Sequence, residues 1–540
     1  MAIFETRINP SSERFQKNHT EMSALIDKLK HLNERAPALS AKRADRFAAR
    51  GQLLPRDRLS RLLDPGMPYV EIGNLAGFLL DTQDEEKSIP GSTIMAGIGY
   101  IMGTRCVVVT DDSGIKAGAM TQAGGYRLGR AQEIALEQKM PFVHLVESAG
   151  GDLVNYTVEG FLAGGSLFAN LARLSKAGLP VISILHGSST AGGAYMPGLS
   201  DYVVAVKERG KAYLAGPPLL KAATGEIATD EELGGAEMHA TISGLAEYLA
   251  EDDSEAILIA REIVDRLAWN RHAVANHRND YHGPKYDPDE ILGIVSPNYR
   301  IPYDVREVIA RIVDNSDFND FKKQYGVSTV CVHANIYGEP CGIIGNNGPI
   351  DPDGATKATQ FIQLCDQSQT PVLFFQNTTG YLVGKQYEQA GMIKHGSKMI
   401  QAVTNASIPR ITLMIGASYG AGNYGMCGRG YNPDFCFTWP NASTGVMGGE
   451  QAAQVMSIVA EAAAAKTGKE PDRAQLEMQE KMLTHLFNSQ SSAFYTSGHL
   501  QDDGMIDPRD SRKLLGFLLS VVTEARARKL NPNSFGVARP

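Results

Sequence analysis

Four short turns carry the residue types with which this chain could do chemistry. Glu147-Ser-Ala-Gly-Gly-Asp152 and Ser189-Thr-Ala-Gly-Gly-Ala194 lie in the first half, Asn377-Thr-Thr-Gly380 and Ser418-Tyr-Gly-Ala-Gly-Asn423 in the second. Each follows an apolar, strand-like run and precedes a helical stretch. Small residues at such a place let a ligand reach the backbone, and N–H groups at a helix start are aimed outward. Donors so placed can bind a phosphate or stabilise an oxyanion formed during reaction. Glycines at a strand-to-helix turn also serve packing alone, so one isolated turn decides nothing. Ser148, Ser189 and Ser418 lack a histidine partner in sequence and read as turn residues. His144 and His186 fall in strands and read as core or rim residues. Neither a dinucleotide fingerprint complete with its ribose-binding acid nor a Walker loop, a GxSxG elbow or HExxH is expected here. The residues alone give paired backbone anion sites and no side-chain base.

Positioning these turns requires repeated strand–turn–helix units. From about residue 95, β-rich runs (Cys106 to Thr110, Phe142 to Val146, Val181 to Leu185) alternate with Gly-rich turns and longer helical stretches, an α/β pattern. The second half repeats the first. Pro180 to Tyr195 aligns with Pro409 to Tyr424 at an offset of 409 − 180 = 229, and Pro141 to Gly150 with Pro371 to Gly380 at 371 − 141 = 230. Gly103 and Cys106 align with Gly338 and Cys341 at 338 − 103 = 235. Three matches in the same order at nearly constant offset predict two homologous domains. The expected layout is a helical extension and lead-in over 1–95, a first domain over 96–272, a linker over 273–300 and a second domain over 301–540. Met22, Leu25, Ile26 and Leu29 share one helix face near the N-terminus.

With 540 residues, more than one core is expected. Lys plus Arg is 52 and Asp plus Glu is 60, so the net charge of 52 − 60 = −8 argues against nucleic acid as the main partner. It leaves room for a local basic pocket for a phosphate. The six cysteines form no CxxC pair, which makes a zinc ribbon unexpected and a reducing compartment the simplest reading. The first fifteen residues have no apolar signal core, and no apolar run reaches membrane-spanning length, so a cytoplasmic location without membrane contact is expected.

Longer motifs run along the chain in order: Arg50-Gly-Gln-Leu-Leu-Pro-Arg-Asp-Arg58, Leu62-Leu-Asp-Pro-Gly66, Gly234-Gly-Ala-Glu-Met-His239, Tyr303-Asp-Val-Arg306, Gly345-Asn-Asn-Gly348, Tyr419-Gly-Ala-Gly-Asn-Tyr-Gly-Met-Cys-Gly-Arg429 and Val446-Met-Gly-Gly-Glu-Gln-Ala452. With the four turns, they resemble the carboxyltransferase β subunits of biotin-dependent acyl-CoA carboxylases, above all the methylcrotonyl-CoA and geranyl-CoA branch. The resemblance runs nearly end to end.

It implies a crotonase-like (ββα spiral) fold for each half, with acyl-CoA on the N-terminal half and biotin on the C-terminal half. It implies active sites between the N half of one subunit and the C half of another, in a homo-oligomer that forms the β6 core of an α6β6 complex. The α subunit would bear the biotin carboxylase and biotin carrier domains. By carry-over, Gly150 and Gly151 with Ala191, Gly192 and Gly193 would hold the thioester oxygen. Gly420, Ala421 and Gly422 with Thr379 and Gly380 would hold the biotin carbonyl, and Ala149, Lys116, Gly164 and Gly165 would contribute to substrate binding. No metal is implied in this chain. No biotin is expected on it either: an Ala-Met-Lys-Met-like hairpin is missing, and Lys398-Met399 sits in a helical stretch.

Two departures stand out. Relatives read Ser-Gly-Gly-Ala where this chain reads Ser148-Ala-Gly-Gly151, and methylcrotonyl enzymes carry His-Phe-Gly where Ala163-Gly-Gly-Ser166 aligns. Loss of that ring would leave room for a longer, geranyl-like acyl chain. Competing readings are a crotonase-type hydratase, isomerase or hydrolase using Glu147 or Asp152, a non-catalytic acyl-CoA-binding assembly subunit, and a decarboxylase of the same fold.

Overall fold

The computed structural model describes residues 3–80, 82–272, 281–467 and 473–538. The chain divides into two compact units. One joins Met1–Lys30, His277–Ser497 and Gln501–Ser520, and the other joins His31–Asn276, Gly498–Leu500 and Val521–Pro540. The first helix, α1 (Glu13–Ala41), buries Met22, Ile26 and Leu29, the face marked by their spacing. Met22 and Ile26 pack on Leu292, which lies in the short helix Ile291–Ile294. Of the stretch expected as a linker, residues 273–280 lie outside the described residues.

The unit holding residues 31–276 is built on one sheet. Its strands are β1 (Val70–Glu71), β2 (Ile94–Ile101), β3 (Thr104–Asp111), β4 (Phe142–Ser148), β5 (Val181–Thr190), β6 (Tyr202–Val206), β7 (Lys211–Tyr213) and β8 (Tyr248–Ala250). They are ordered β1-β2-β3-β4-β5-β6-β8, with β7 beside the end of β5. β2 and β3 form an antiparallel hairpin turned at Met102-Gly103, where both residues have positive φ, the backbone a two-residue hairpin needs. From β3 to β6 the pairing is parallel. Buried strands of this kind read as unbroken apolar runs, and all eight residues of β3 are buried. Helices α2 (Gln122–Glu137), α3 (Val158–Lys176) and α4 (Asp253–Arg266) accompany the sheet. Ala256, Ile257, Ala260, Ile263 and Val264 of α4 share a core with Val108, Val143, Leu145, Ile182 and Ile184.

The second unit repeats this plan. Its strands are β9 (Asn319–Asp320), β10 (Thr329–Ile336), β11 (Glu339–Asn346), β12 (Val372–Thr378), β13 (Arg410–Tyr419), β14 (Phe435–Thr438) and β15 (Ser443–Gly445). They run β14-β13-β12-β11-β10-β9 with β15 on the end of β13. The hairpin turns at Tyr337-Gly338, again two positive-φ residues. Register repeats as well as order. Val107 faces Phe142 and Phe142 faces Val181 in one sheet, while Gly342 faces Val372 and Val372 faces Arg410 in the other. The offsets are 342 − 107 = 235, 372 − 142 = 230 and 410 − 181 = 229, those of the sequence alignment. Even the register slip recurs, between Val146 and Ser148 and between Gln376 and Thr378. Helices α5 (Pro352–Gln367) and α6 (Met392–Asn405) close this core with Phe361, Cys365, Met399 and Val403 against Phe374 and Ile344. Lys398 lies within α6.

Candidate active site

In each unit the two Gly-rich turns meet at the carboxyl ends of adjacent parallel strands. A ligand placed there has the end of the sheet beneath it and backbone around it. In the first half, Gly150 follows β4 with φ of +86°, and a Cβ on it would lie 3.2 Å from the carbonyl oxygen of Thr190, at the end of β5. Gly193, just past β5, leaves a Cβ position 2.9 Å from Ser189 Oγ and 3.5 Å from Ser148 Cβ. Residues 149–151 and 191–193 are thus one cluster. Ala149, Gly151 and Ala191 are exposed, while Gly150 is buried. Lys116 joins them: Ala149 N–H donates to the Ala117 carbonyl, and Lys116 Nζ stands 3.4 Å from Asp152 Oδ2.

The second half has the same design. Gly380, φ +120°, follows β12, and a Cβ on Gly422 would lie 2.8 Å from Gly380 Cα. Thr379 and Ala421 are exposed, as Ala149 is. Ala191 (φ +53°) and Gly420 (φ +54°) take the same left-handed conformation at the matching step, 420 − 191 = 229.

The amides are not all free. Gly150 N–H donates to Ser148 Oγ (3.2 Å), whose hydroxyl donates to the Gly118 carbonyl (3.0 Å). Gly380 N–H likewise donates to Thr378 Oγ1 (3.3 Å). Gly150 and Gly380 therefore shape their turns, and outward amides must come from their neighbours. A Cβ on Gly151 would meet nothing within 4 Å, so that residue faces open space.

Ser418 corrects the expectation that the chain carries no GxSxG elbow. Gly416-Ala-Ser-Tyr-Gly420 has the spacing of a nucleophile elbow. Its hydroxyl, however, is buried, donates to Gln376 Oε1 (2.5 Å) and accepts from Asn423 (2.7 Å), with no histidine in that chain of bonds. Gln376 in turn donates to the Met426 carbonyl. Ser418 orders the turn and has no base to activate it.

Gly164 and Gly165 lie on α3, each with open space where a Cβ would stand. The helix meets the turn one step further on: Phe168 Cζ lies 3.3 Å from the Cβ position of Gly192, and its ring packs edge-on against Tyr195 at 5.7 Å. These two rings were missed in the sequence. The available signal was spacing, since Phe168 is four residues beyond Gly164 and falls on the same helix face.

Neither acid beside the first turn is free to act as a base. Glu147 accepts from buried Arg58 (2.5 Å). Burial of Asp152 favours its neutral form but is outweighed by hydrogen bonds from Asn155 and Val154 N–H and by Lys116, which hold its carboxyl below the usual range. No group of three or more His, Cys, Asp or Glu side chains suited to a metal occurs among the described residues. No helix of the described residues is long and apolar enough to cross a membrane.

Residues 46–537 match the family model described as a carboxyl transferase domain. Over 541 residues, spanning 99% of this chain and 100% of the relative, the chain is 46% identical to a probable biotin-dependent acyl-coenzyme A carboxylase beta2 subunit of Mycobacterium tuberculosis. It is 40% identical to the mitochondrial methylcrotonoyl-CoA carboxylase beta chain of Arabidopsis thaliana, across 100% of this chain and 92% of that one. The crystal structure of the beta subunit of P. aeruginosa geranyl-CoA carboxylase matches with a TM-score of 0.93 at 50% identity, covering 100% of both chains.

Proposed function

This chain belongs to the carboxyl transferase family and is the carboxyltransferase component of a biotin-dependent acyl-CoA carboxylase, and on that premise we propose how its two halves share the reaction. The N-terminal half holds the acyl thioester, its oxygen at the outward amides of Gly151 and of 191–193, since Ala149 and Gly150 N–H are bound within the turn. The C-terminal half holds the ureido carbonyl of biotin at 379–380 and 420–422. The observation that carries this is the pair of matching turn clusters, one per half, each exposed at the ends of parallel strands.

Carboxybiotin, borne by a partner subunit, supplies CO2 and a ureido nitrogen able to accept the substrate proton. The residues present fit that group. Gln376, Asn377 and Asn423 around the second cluster are neutral amides, so no carboxylate there opposes a negatively charged oxygen. What this chain adds is fixed donors aimed where negative charge develops, which need no reorganisation as the reaction proceeds. Glu147 and Asp152 are both engaged, which speaks against a hydratase or isomerase that would need one of them as acid or base.

The substrate class is a 3-methyl-branched enoyl-CoA. The hydrogen lost lies on the γ carbon, where the resulting anion spreads through the double bond to the thioester oxygen. The open space at Gly164 and Gly165 supports a long, geranyl-like acyl chain. Each additional buried CH2 contributes about 0.8 kcal/mol. Steady-state kinetics of the reconstituted enzyme with geranyl-CoA and methylcrotonyl-CoA test this. Comparable or better turnover of geranyl-CoA is expected, with selective loss of it in Gly164→Phe. Rejection of geranyl-CoA by the wild type would overturn the substrate and leave the reaction standing.

Gly150→Val and Ala421→Val should each abolish transfer, and full activity in either would refute that half of the site. The working form is a homo-oligomer, a β6 core within α6β6, acting in the cytoplasm. Native mass measurement and a biotin blot of the co-purified complex check it.

A further inference from the structure

Behind the first turn lies a buried ionic cluster that the reaction does not use directly. Arg58, 1% exposed, directs Nη1 to Glu147 Oε2 (2.5 Å) and Nε to Asp253 Oδ2 (3.1 Å). Asp253 also accepts from Leu53 N–H (2.7 Å) and bonds His186 Nδ1 (2.8 Å). Glu147 immediately precedes Ser148, whose hydroxyl holds Gly150 N–H. Its own N–H is held by Asp111 (3.0 Å), and its carboxylate packs where a Cβ on Gly187 would stand 2.5 Å away. The carboxylate is thus gripped from one side and the backbone from the other, within two residues of the turn. A buried charge pair is weak evidence for stability, since desolvation offsets most of its attraction. A rigid two-pronged guanidinium is well suited to fixing position.

From this geometry we infer that Arg58 is a positioning residue for carboxyl transfer, acting through Glu147 to set the first turn from behind, with Asp253 and His186 holding Arg58 in place. The inference rests on the reading of that turn as the cradle of the thioester oxygen. Charge grows on that oxygen only as the reaction proceeds, so a displaced turn lowers kcat while binding of the CoA thioester is little changed.

Lysine keeps the charge but cannot span both carboxylates with two fixed donors. Arg58→Lys in the reconstituted holoenzyme should lose about tenfold to a hundredfold in kcat with KM for the acyl-CoA nearly unchanged. Glu147→Gln should do the same, and the double variant should be no worse than the worse single one, because both act on one linkage. Wild-type kcat in Arg58→Lys, or losses that multiply in the double variant, would overturn the inference. If Arg58→Lys does not fold, the nearly isosteric Glu147→Gln carries the test: an unchanged kcat in it is equally fatal. Gly150→Val separates the two levels. If it is active, the cradle reading itself fails; if it is inactive while Arg58→Lys is normal, only the positioning role fails.

Discussion

The two halves share a backbone plan but not the chemistry behind it. Asp111 Oδ2 accepts from Glu147 N–H in the first half, and at the matching places Asn346 Oδ1 accepts from Asn377 N–H in the second (3.3 Å). Gly187 makes room for the Glu147 carboxylate, and Gly416 makes the same room for the Asn377 amide. His144 and His186 have Phe374 and Ile415 as counterparts. The first turn thus rests on buried charges, the second on neutral amides. The same loop geometry can be supported either way, and the choice decides which half responds to pH and to loss of a single partner.

The sharpest test uses one position in both halves, Gly193 and Gly422, related by 422 − 193 = 229. A methyl on Gly422 meets backbone, Gly380 Cα at 2.8 Å, whereas one on Gly193 meets the rotatable Ser189 hydroxyl at 2.9 Å. Gly422→Ala should therefore lose roughly a hundredfold or more in transfer, and Gly193→Ala no more than about tenfold. Equal losses would show that the turns are equally rigid.

Next in size is loss of a supporting partner. Arg58→Met strands Glu147 and Asp253 in the interior and should cost about 3–5 kcal/mol. Asn377→Ala removes only neutral hydrogen bonds and should cost about 1–2 kcal/mol. Denaturant melts followed by amide exchange in β4 and β12 compare them, and a larger cost for Asn377→Ala would break the contrast.

Acid should separate the halves further. Although burial opposes it, hydrogen bonding to His186 and the charge of Arg58 pull the Asp253 carboxyl down to about 2. An unfolded aspartate titrates near 3.9, so this contribution, about 2 kcal/mol, is present above pH ~4 and lost as pH falls toward 2. Burial holds the His186 ring neutral with its pKa lowered, so the unfolded chain takes that proton more readily and stability falls below pH ~6.5. Asp502, in the other unit, runs the opposite way: burial pushes its carboxyl up to about 7, so protonation between pH 7 and 4 relieves a cost. Amide exchange at pH 7 and pH 4 should show protection falling in β4 and β5 and holding or rising around residues 502–504. The reverse ranking would sink this reading.

The smallest effect concerns the left-handed step. Ala191 already holds a φ of +53°, so Gly420→Ala, at +54° and 3.3 Å from the Val446 carbonyl oxygen, should cost only about 1–2 kcal/mol of stability and preserve the second turn. Complete loss of folded protein would show that this half needs glycine there.

Periodicity and repetition made much of this protein legible in its sequence. The offsets of 229, 230 and 235 reappear as sheet register because strand pairing is local in pattern and each turn is tied to the strand before it. The buried stripe of Met22, Ile26 and Leu29 was readable for the same reason, since helix spacing alone places those residues on one face. The backing of the site was not readable. Glu147 and Asp253 are 89 and 195 residues from Arg58 in sequence, as 147 − 58 and 253 − 58, and no periodicity links them. The alignment of Ala163-Gly-Gly-Ser166 foretold a missing ring, yet the fold brings Phe168 and Tyr195 together beside Gly192. Which turn amides face outward was likewise settled by tertiary structure, because Ser148 and Thr378 claim Gly150 and Gly380 only once strand ends and turns are packed side by side. Sequence determined where backbone donors could gather; only the packing of distant segments decided which donors are free and what charge stands behind them.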